Sequence, residues 1–268
     1  MIPNHFKRAL AAGKPQIGLW STLPSAYVTE MVAGAGFDWL LLDAEHAPSD
    51  VMNMLGQLQA VAAARPVQGP TPQAVVRPPW NDPVLIKRYL DIGAQNLLLP
   101  FVQSAEEAAA AVAACRFAPA GIRGMGGSVR ASGFGRDSQY AARAHEEVGV
   151  FVQVETVAAL EEIEAIADVD GVDGIFIGPA DLSASMGYTS VPNHPEVKRV
   201  VDAAIKRIAA SGKAPGILMV DEARVRELLD LGALFVAVAI DLVLLRTAVD
   251  QKAVAFCGLV REPASTSY

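Results

Sequence analysis

Runs of consecutive apolar residues recur along the chain at near-even intervals, at residues 16–19, 39–43, 74–77, 96–101, 150–155, 174–177, 216–219 and 235–239. Unbroken runs of this length, without polar alternation, fit strands of a parallel sheet buried on both faces. Most are separated by segments rich in Ala, Leu and Glu with helical spacing, such as 105–115, 158–167, 196–211 and 222–231. An internal echo supports the alternation: AGAGFDWLLLD (33–43), DIGAQNLLLP (91–100) and DLGALFVAVA (230–239) each read helix end, glycine, apolar strand. Glycine there suits the left-handed position that closes a helix before the chain turns into a strand. Eight strands within about 240 residues, each followed by a helix, predict an α/β fold of the (β/α)8 TIM-barrel type rather than a doubly wound sheet.

No Ser/Gly/Pro-rich linker divides the chain, so a single barrel domain is expected over residues 1–260, followed by a polar, frayed tail over 261–268. Two segments break the rhythm. Residues 66–72, PVQGPTP, form a Pro/Gly loop before the third strand. Residues 117–136, FAPAGIRGMGGSVRASGFGR, lie between the helix at 105–115 and a short helix near 137–147. A loop of that length in a compact domain is expected to be a functional lid or a mobile segment.

Composition narrows the classes. With 52% apolar and 19% charged residues the chain is not a disordered polypeptide. Twenty-two Lys and Arg against 29 Asp and Glu give a net charge of −7, with no basic cluster, which argues against nucleic acid or an anionic membrane as partner. The mean hydropathy of +0.30 is high, yet the longest apolar stretch, 234–245, is interrupted by Asp241 and is too short to span a bilayer. The excess is read as a thick core plus subunit interfaces. Cys115 and Cys257 show neither a CxxC spacing nor a disulfide framework. The first residues lack an apolar signal segment, and the cytoplasm is the expected location.

In parallel barrels the chemistry comes from the carboxyl ends of the strands. Here those ends carry Trp20, then Asp43, Glu45 and His46, then Arg77, Glu155, Ala180 with Asp181, and Asp241. One such residue alone reads as a loop charge; their convergence on one rim argues for a site. Glu155 and Asp181 fall on neighbouring strand ends and could share a hard divalent cation such as Mg²⁺ or Mn²⁺, with water and substrate oxygens completing the shell. A glycosidase-like carboxylate pair is the competing reading, disfavoured because only 6% of the chain is aromatic. In IGPADLSASMG (177–187), Gly178 and Pro179 turn the chain into a helical start whose amides could hold a carboxylate. His46, three residues after Asp43, could form an Asp–His pair acting as general base. Arg77 could stabilise an oxyanion, or merely pair with Asp43 or Glu45. None of the seven lysines ends a strand, which argues against Schiff-base chemistry. The glycines of GIRGMGGS (121–128) match no phosphate-binding loop.

Five stretches, GFDWLLLDAEHAP (36–48), VVRPPWNDP (75–83), APAGIRGMG (118–126), VQVET (152–156) and GVDGIFIGPADLSASMGY (171–188), resemble the HpcH/HpaI aldolase family. The likeness runs from about residue 18 to 245 and is strongest to the branch that cleaves 4-hydroxy-2-oxo acids such as 4-hydroxy-2-oxoheptanedioate. It implies a metal-dependent, class II lyase of aromatic catabolism, releasing pyruvate and an aldehyde such as succinic semialdehyde. Carried over by motif, Glu155 and Asp181 would bind Mg²⁺, Mn²⁺ or Co²⁺. Gln153, Gly178, Pro179, Ala180 and Asp181 would hold pyruvate, Arg77 would stabilise the enolate, and His46 paired with Asp43 would be the base. Trp20, Arg123 and the rest of the 123–130 loop would shape the aldehyde pocket. Asp91 would reach a neighbouring subunit's site, and Glu45, Ser128 and Leu218 are further candidates. The resemblance also implies a homohexamer, a trimer of dimers with C-terminal helices packed on partner subunits. The segment GGSVRASGFGR (126–136) departs from the branch's usual run and leaves the natural aldehyde open. A 2-keto-3-deoxy sugar-acid aldolase, the CoA-ester lyase branch and a catalytically silent carboxylate-binding barrel are the alternatives.

Overall fold

Strands form where the apolar runs predict them. The computed structural model describes residues 3–189 and 191–257. Its strands are β1 (Gln16–Ser21), β2 (Trp39–Asp43), β3 (Gln73–Arg77), β4 (Asn96–Leu99), β5 (Gly149–Val154), β6 (Gly174–Ile177), β7 (Ala214–Leu218) and β8 (Phe235–Ile240). All pair in parallel, in sequence order, and β8 closes on β1. The helices are α1 (His5–Ala11), α2 (Ala26–Ala33), α3 (Val51–Ala63), α4 (Pro83–Asp91), α5 (Ala105–Cys115), α6 (Tyr140–Glu147), α7 (Val157–Glu161), α8 (Ile163–Ala167), α9 (Pro179–Ser185), α10 (Pro195–Ala210), α11 (Glu222–Asp230) and α12 (Asp241–Cys257). The chain is a (β/α)8 barrel. The tail expected over 261–268 lies outside the described residues, and no described helix is long and apolar enough to cross a membrane.

The unbroken apolar runs serve two cores. Trp39, Leu41, Val75, Phe151, Phe176 and Phe235 point into the barrel, whereas Leu40, Leu42, Val76, Val152, Ile177 and Val236 point out beneath the helices. The pleat alternates sides, but both sides are dry, so the sequence shows no alternation. Glycine makes room for the largest interior ring: a Cβ on Gly18 would sit 2.3 Å from the Trp39 indole.

The N-terminal segment and the helix expected over 158–167 depart from the sequence expectation. The N-terminal segment, which carried no element signal, forms α1 and plugs the bottom of the barrel. Phe6 packs on Trp39 and Phe151 with ring centroids 5.6 and 5.3 Å apart, a burial that contributes about 2–3 kcal/mol. Asn4 caps α1 and donates from its side chain to Asn96 Oδ1 at 2.7 Å and to the Glu147 carbonyl at 3.0 Å. The helix expected over 158–167 is two short helices, α7 and α8, which meet at Glu162.

Candidate active site

The pleat that fills the barrel also sets the site. Continuing each inward series one step toward the carboxyl end replaces the apolar layer by Asp43 on β2, Arg77 on β3, Gln153 and then Glu155 on β5, Gly178 after β6 and Leu218 on β7. Asp43 and Arg77 are Cα partners across β2 and β3. Arg77 donates from Nε to Asp43 Oδ1 at 2.9 Å and from Nη2 to Oδ2 at 2.7 Å, a two-pronged pair. Its Nη1 lies 2.7 Å from Glu45 Oε2, and Trp20 supports the guanidinium carbon 4.6 Å above its ring while its indole N–H donates to Asp43 Oδ2 at 3.3 Å. The cation is thereby fixed from three sides, with Gln153 Oε1 accepting more loosely from Nη1 at 3.5 Å.

Glu155 is 3% exposed. Its Oε1 accepts from the Phe101 backbone N–H at 3.0 Å and its Oε2 from the Gln153 amide. Gly178 permits the approach, since a Cβ there would stand 2.5 Å from Oε2. Phe101 holds φ at 54°, the left-handed region, which costs about 1–2 kcal/mol for a side chain with a Cβ. The apolar run at 96–101 predicts strand throughout; β4 stops at Leu99, and the turn aims the Phe101 amide at Glu155. No composition signal marks an aromatic residue for that conformation.

Electrostatics separates the carboxylates. Burial opposes ionisation of Asp43, but the hydrogen bonds and charge of Arg77 outweigh it and hold its carboxyl below the usual range. Burial raises Glu45; Arg77 counteracts it, while Asp43 and Asp181 add repulsion. Burial, with the charges of Asp181 and Glu45, pushes Glu155 up to about 7 against the hydrogen bonds from Gln153 and Phe101. Glu45 Oε2 is buried without an aligned donor, despite its proximity to Arg77. Mutually repelling oxygen donors of this kind fit a hard divalent cation, which would restore their ionised forms. Among the described residues no group of three or more His, Cys, Asp or Glu is placed to hold an ion without further ligands. An ion held by Glu155 and Asp181 would need water and substrate oxygens to complete its shell.

A cavity of about 430 Å³ opens at the carboxyl ends of the strands, and its wall includes Trp20, Asp43, His46, Arg77, Gln153 and Asp181, while Glu45 and Glu155 lie behind that lining. Gly178, Pro179, Ala180 and Leu218 also line it, as do Thr22, Pro192, Leu242 and Val243, which the sequence reading did not single out. Gly178, the N-cap of α9, provides no capping side chain, so the first-turn amides of Ala180 and Asp181 receive no side-chain acceptor. A cavity of about 530 Å³ opens at the opposite end of the barrel. Its Arg130 is spent on the Ile92 carbonyl at 2.8 Å, and none of the groups described above borders it.

The pattern of the HpcH/HpaI aldolase/citrate lyase family matches residues 16–248. The chain belongs to that family. It is 54% identical over 257 residues, 95% of each chain, to a 4-hydroxy-2-oxo-heptane-1,7-dioate aldolase of Salmonella paratyphi B. The crystal structure of an HpcH/HpaI aldolase/citrate lyase family protein from Burkholderia cenocepacia J2315 superposes with a TM-score of 0.89 at 38% identity, covering 94% of this chain and 98% of that one. An HpcH/HpaI aldolase from Desulfitobacterium hafniense DCB-2 gives 0.84 at 27% identity, covering 96% and 98%.

Within this HpcH/HpaI barrel several expected contacts are not made. Asp43 does not pair with His46: both its oxygens are engaged by Arg77, with Trp20 and the Glu45 amide adding to them. The carboxylate beside His46 is Glu45, with Nε2 and Oε2 3.9 Å apart. Arg123 does not reach the cavity. Its side chain is buried, donates to Asp91 Oδ1 at 2.8 Å and to the Tyr140 hydroxyl at 3.2 Å, and lies over the Phe117 ring. Asp91 ends α4, and Ser128 sits on the same loop as Arg123, so all three belong to the amino-terminal end of the barrel. The reason is topological: the 117–136 loop runs from α5 to α6, which feeds β5, and such helix-to-strand connections return to the face opposite the site. It is no lid on this chain's own cavity.

Proposed function

We propose that the chain is a metal-dependent pyruvate aldolase acting on 4-hydroxy-2-oxo acids, with 4-hydroxy-2-oxoheptanedioate as substrate and succinic semialdehyde as aldehyde product. The observation that carries this reading is the Arg77 guanidinium, fixed by Asp43, Glu45 and Trp20 beside Gln153 and a Glu155 that resists ionisation without a cation. A divalent ion such as Mg²⁺, Mn²⁺ or Co²⁺, when held by Glu155 and Asp181, supplies a Lewis acid for the charge that develops on the 2-oxo oxygen. Arg77 adds a preorganised positive charge at the same oxygen. The Gln153 amide and the first-turn amides of α9 orient the pyruvate half. His46, mostly exposed at the mouth of the cavity, takes the proton of the C4 hydroxyl. The C3–C4 bond then breaks, its electron pair passes into the pyruvate enolate, the aldehyde leaves, and C3 is reprotonated. Pyruvate release from a 4-hydroxy-2-oxo acid is expected, lost on chelation and restored by a divalent ion. Turnover after exhaustive chelation, or borohydride trapping of a covalent pyruvate adduct, would overturn the metal-dependent reading.

The assembly proposed with it is a homohexamer. Asp241 is the buried residue of α12, while Leu244, Leu245, Val249 and Phe256 are each more than half exposed on the single chain. A helix this apolar stays in water only by covering itself, and a stable contact buries about 1,000 Å² or more. In a trimer of dimers Asp91 and the 117–136 loop would serve a neighbour's cavity rather than their own. Light scattering at micromolar concentration is expected to give about six times 28.2 kDa. A fully active species of 28.2 kDa would overturn it.

A further inference from the structure

We infer that Asp241, outside the cavity, is a positioning residue that sets its aldehyde-side wall by tying the end of β1 to the start of α12. Five donors converge on this one carboxylate, which is 5% exposed. Ser21 Oγ and the Leu23 N–H reach Oδ2 at 2.8 and 3.2 Å. The Thr22 N–H, Thr22 Oγ1 and the Leu242 N–H reach Oδ1 at 2.8, 3.0 and 2.7 Å. Two carboxylate oxygens offer about four lone-pair sites, so the group is saturated and has nothing left for an ion or a substrate.

A bulge explains how it comes to face this way. Gly18 pairs with Ala237, but Trp20 pairs with Ile240, so β8 spends three steps where β1 spends two. The extra residue shifts the pleat: Ile240 takes the inward place beside Trp20, and Asp241 turns toward the end of β1 instead of into the barrel. The negative charge also stands at the first residue of α12, where the helix dipole favours it.

Of the residues so tied, Thr22 and Leu242 line the cavity. Thr22 comes from the end of β1 and Leu242, with its neighbour Val243, from α12 after β8, across the closed barrel from Gln153 on β5. Trp20 is held independently, by Asp43 and by Phe176 with centroids 5.5 Å apart. Loosening the tie therefore disturbs where an aldehyde lies but leaves the enolate half in place.

The inference rests on the aldolase reading, and two reactions tell their failures apart. Exchange of the pyruvate methyl protons with deuterium requires enolisation and no aldehyde; condensation of pyruvate with succinic semialdehyde requires both halves. Asp241→Asn replaces one acceptor oxygen by a donor facing N–H groups. It is expected to raise the KM for the aldehyde about fivefold or more while methyl exchange stays within about twofold of the unmodified protein. Ser21→Ala, which removes one of the five donors, is expected to move the same KM less and to keep the fold should Asp241→Asn fail to fold. Equal losses in both reactions, or an unchanged aldehyde KM in a folded variant of either kind, would overturn the positioning role. An unmodified protein that neither exchanges the methyl protons nor condenses would overturn the aldolase reading, and the inference with it.

Discussion

Glu155→Gln is expected to abolish aldol cleavage, by about a thousandfold or more, while leaving the metal-free protein no less stable than the parent. The two effects have one cause. In the metal-free barrel Glu155 is pushed from the ordinary glutamate value of 4.5 up to about 7, by burial first and then by the charges of Asp181 and Glu45. A raised carboxyl means that the folded state binds a proton the unfolded chain has released between those two values. Stability on this account is complete below pH 4.5 and is lost as pH rises through 7. At pH 8 the ionised group costs up to about 3 kcal/mol, and a neutral amide of the same shape avoids it. The Gln side chain still accepts from the Phe101 N–H, and the Gln153 amide can rotate to satisfy the other end. Thermal melts at pH 8 without metal are expected to show the variant at or above the parent. Added Mg²⁺ or Mn²⁺ should raise the melting temperature of the parent and not that of the variant. A variant that is less stable, or one that keeps both activity and the metal-dependent shift, would show that Glu155 does not hold the ion.

The barrel was legible because its strands are unusually uniform. Runs such as WLLLD and GIFI are buried on both sides, so burial alone fixes where they begin and end. The ionisable rim residues were legible for the same reason, since each interrupts a run at its carboxyl end. What the sequence hid depends on direction and depth. Asp43 and His46 are three residues apart and look like a pair, but the pleat points Asp43 inward to Arg77 and leaves His46 beyond the strand, near Glu45. Arg123 looks like a lid residue until the connection order assigns its loop to the other end. That order was available in the sequence, because the loop and the short helix after it lie between the helix at 105–115 and the next strand. Phe101 had no signal at all: its role lies in a backbone amide and a left-handed φ, and neither is written in the side chain. The Asp241 tie needed the register of β1 against β8, where a single extra residue reverses which side chains face in.

Arg77 and His46 are expected to fail differently, and the difference tests the division of labour between them. Aldol cleavage and oxaloacetate decarboxylation both pass through the pyruvate enolate, but only cleavage removes a proton from a C4 hydroxyl. His46→Ala is therefore expected to slow cleavage by about 10²–10⁴ and decarboxylation far less. Arg77 stabilises the enolate itself, so its loss should slow both reactions, each by about 10³. Arg77→Ala also strands Asp43 and Glu45 without their shared cation, and breaking one side of a buried pair costs about 3–5 kcal/mol. A fall in both activities could then reflect unfolding. Arg77→Lys separates the two causes. It keeps a positive charge but cannot engage both Asp43 oxygens and Glu45 together, as the planar guanidinium does. A folded lysine variant with both reactions slowed would place the loss in the lost geometry at the enolate oxygen. If His46→Ala slowed both reactions equally, the histidine would not be the base for the C4 hydroxyl. If Arg77→Lys spared decarboxylation, the fixed guanidinium would not be the enolate's partner.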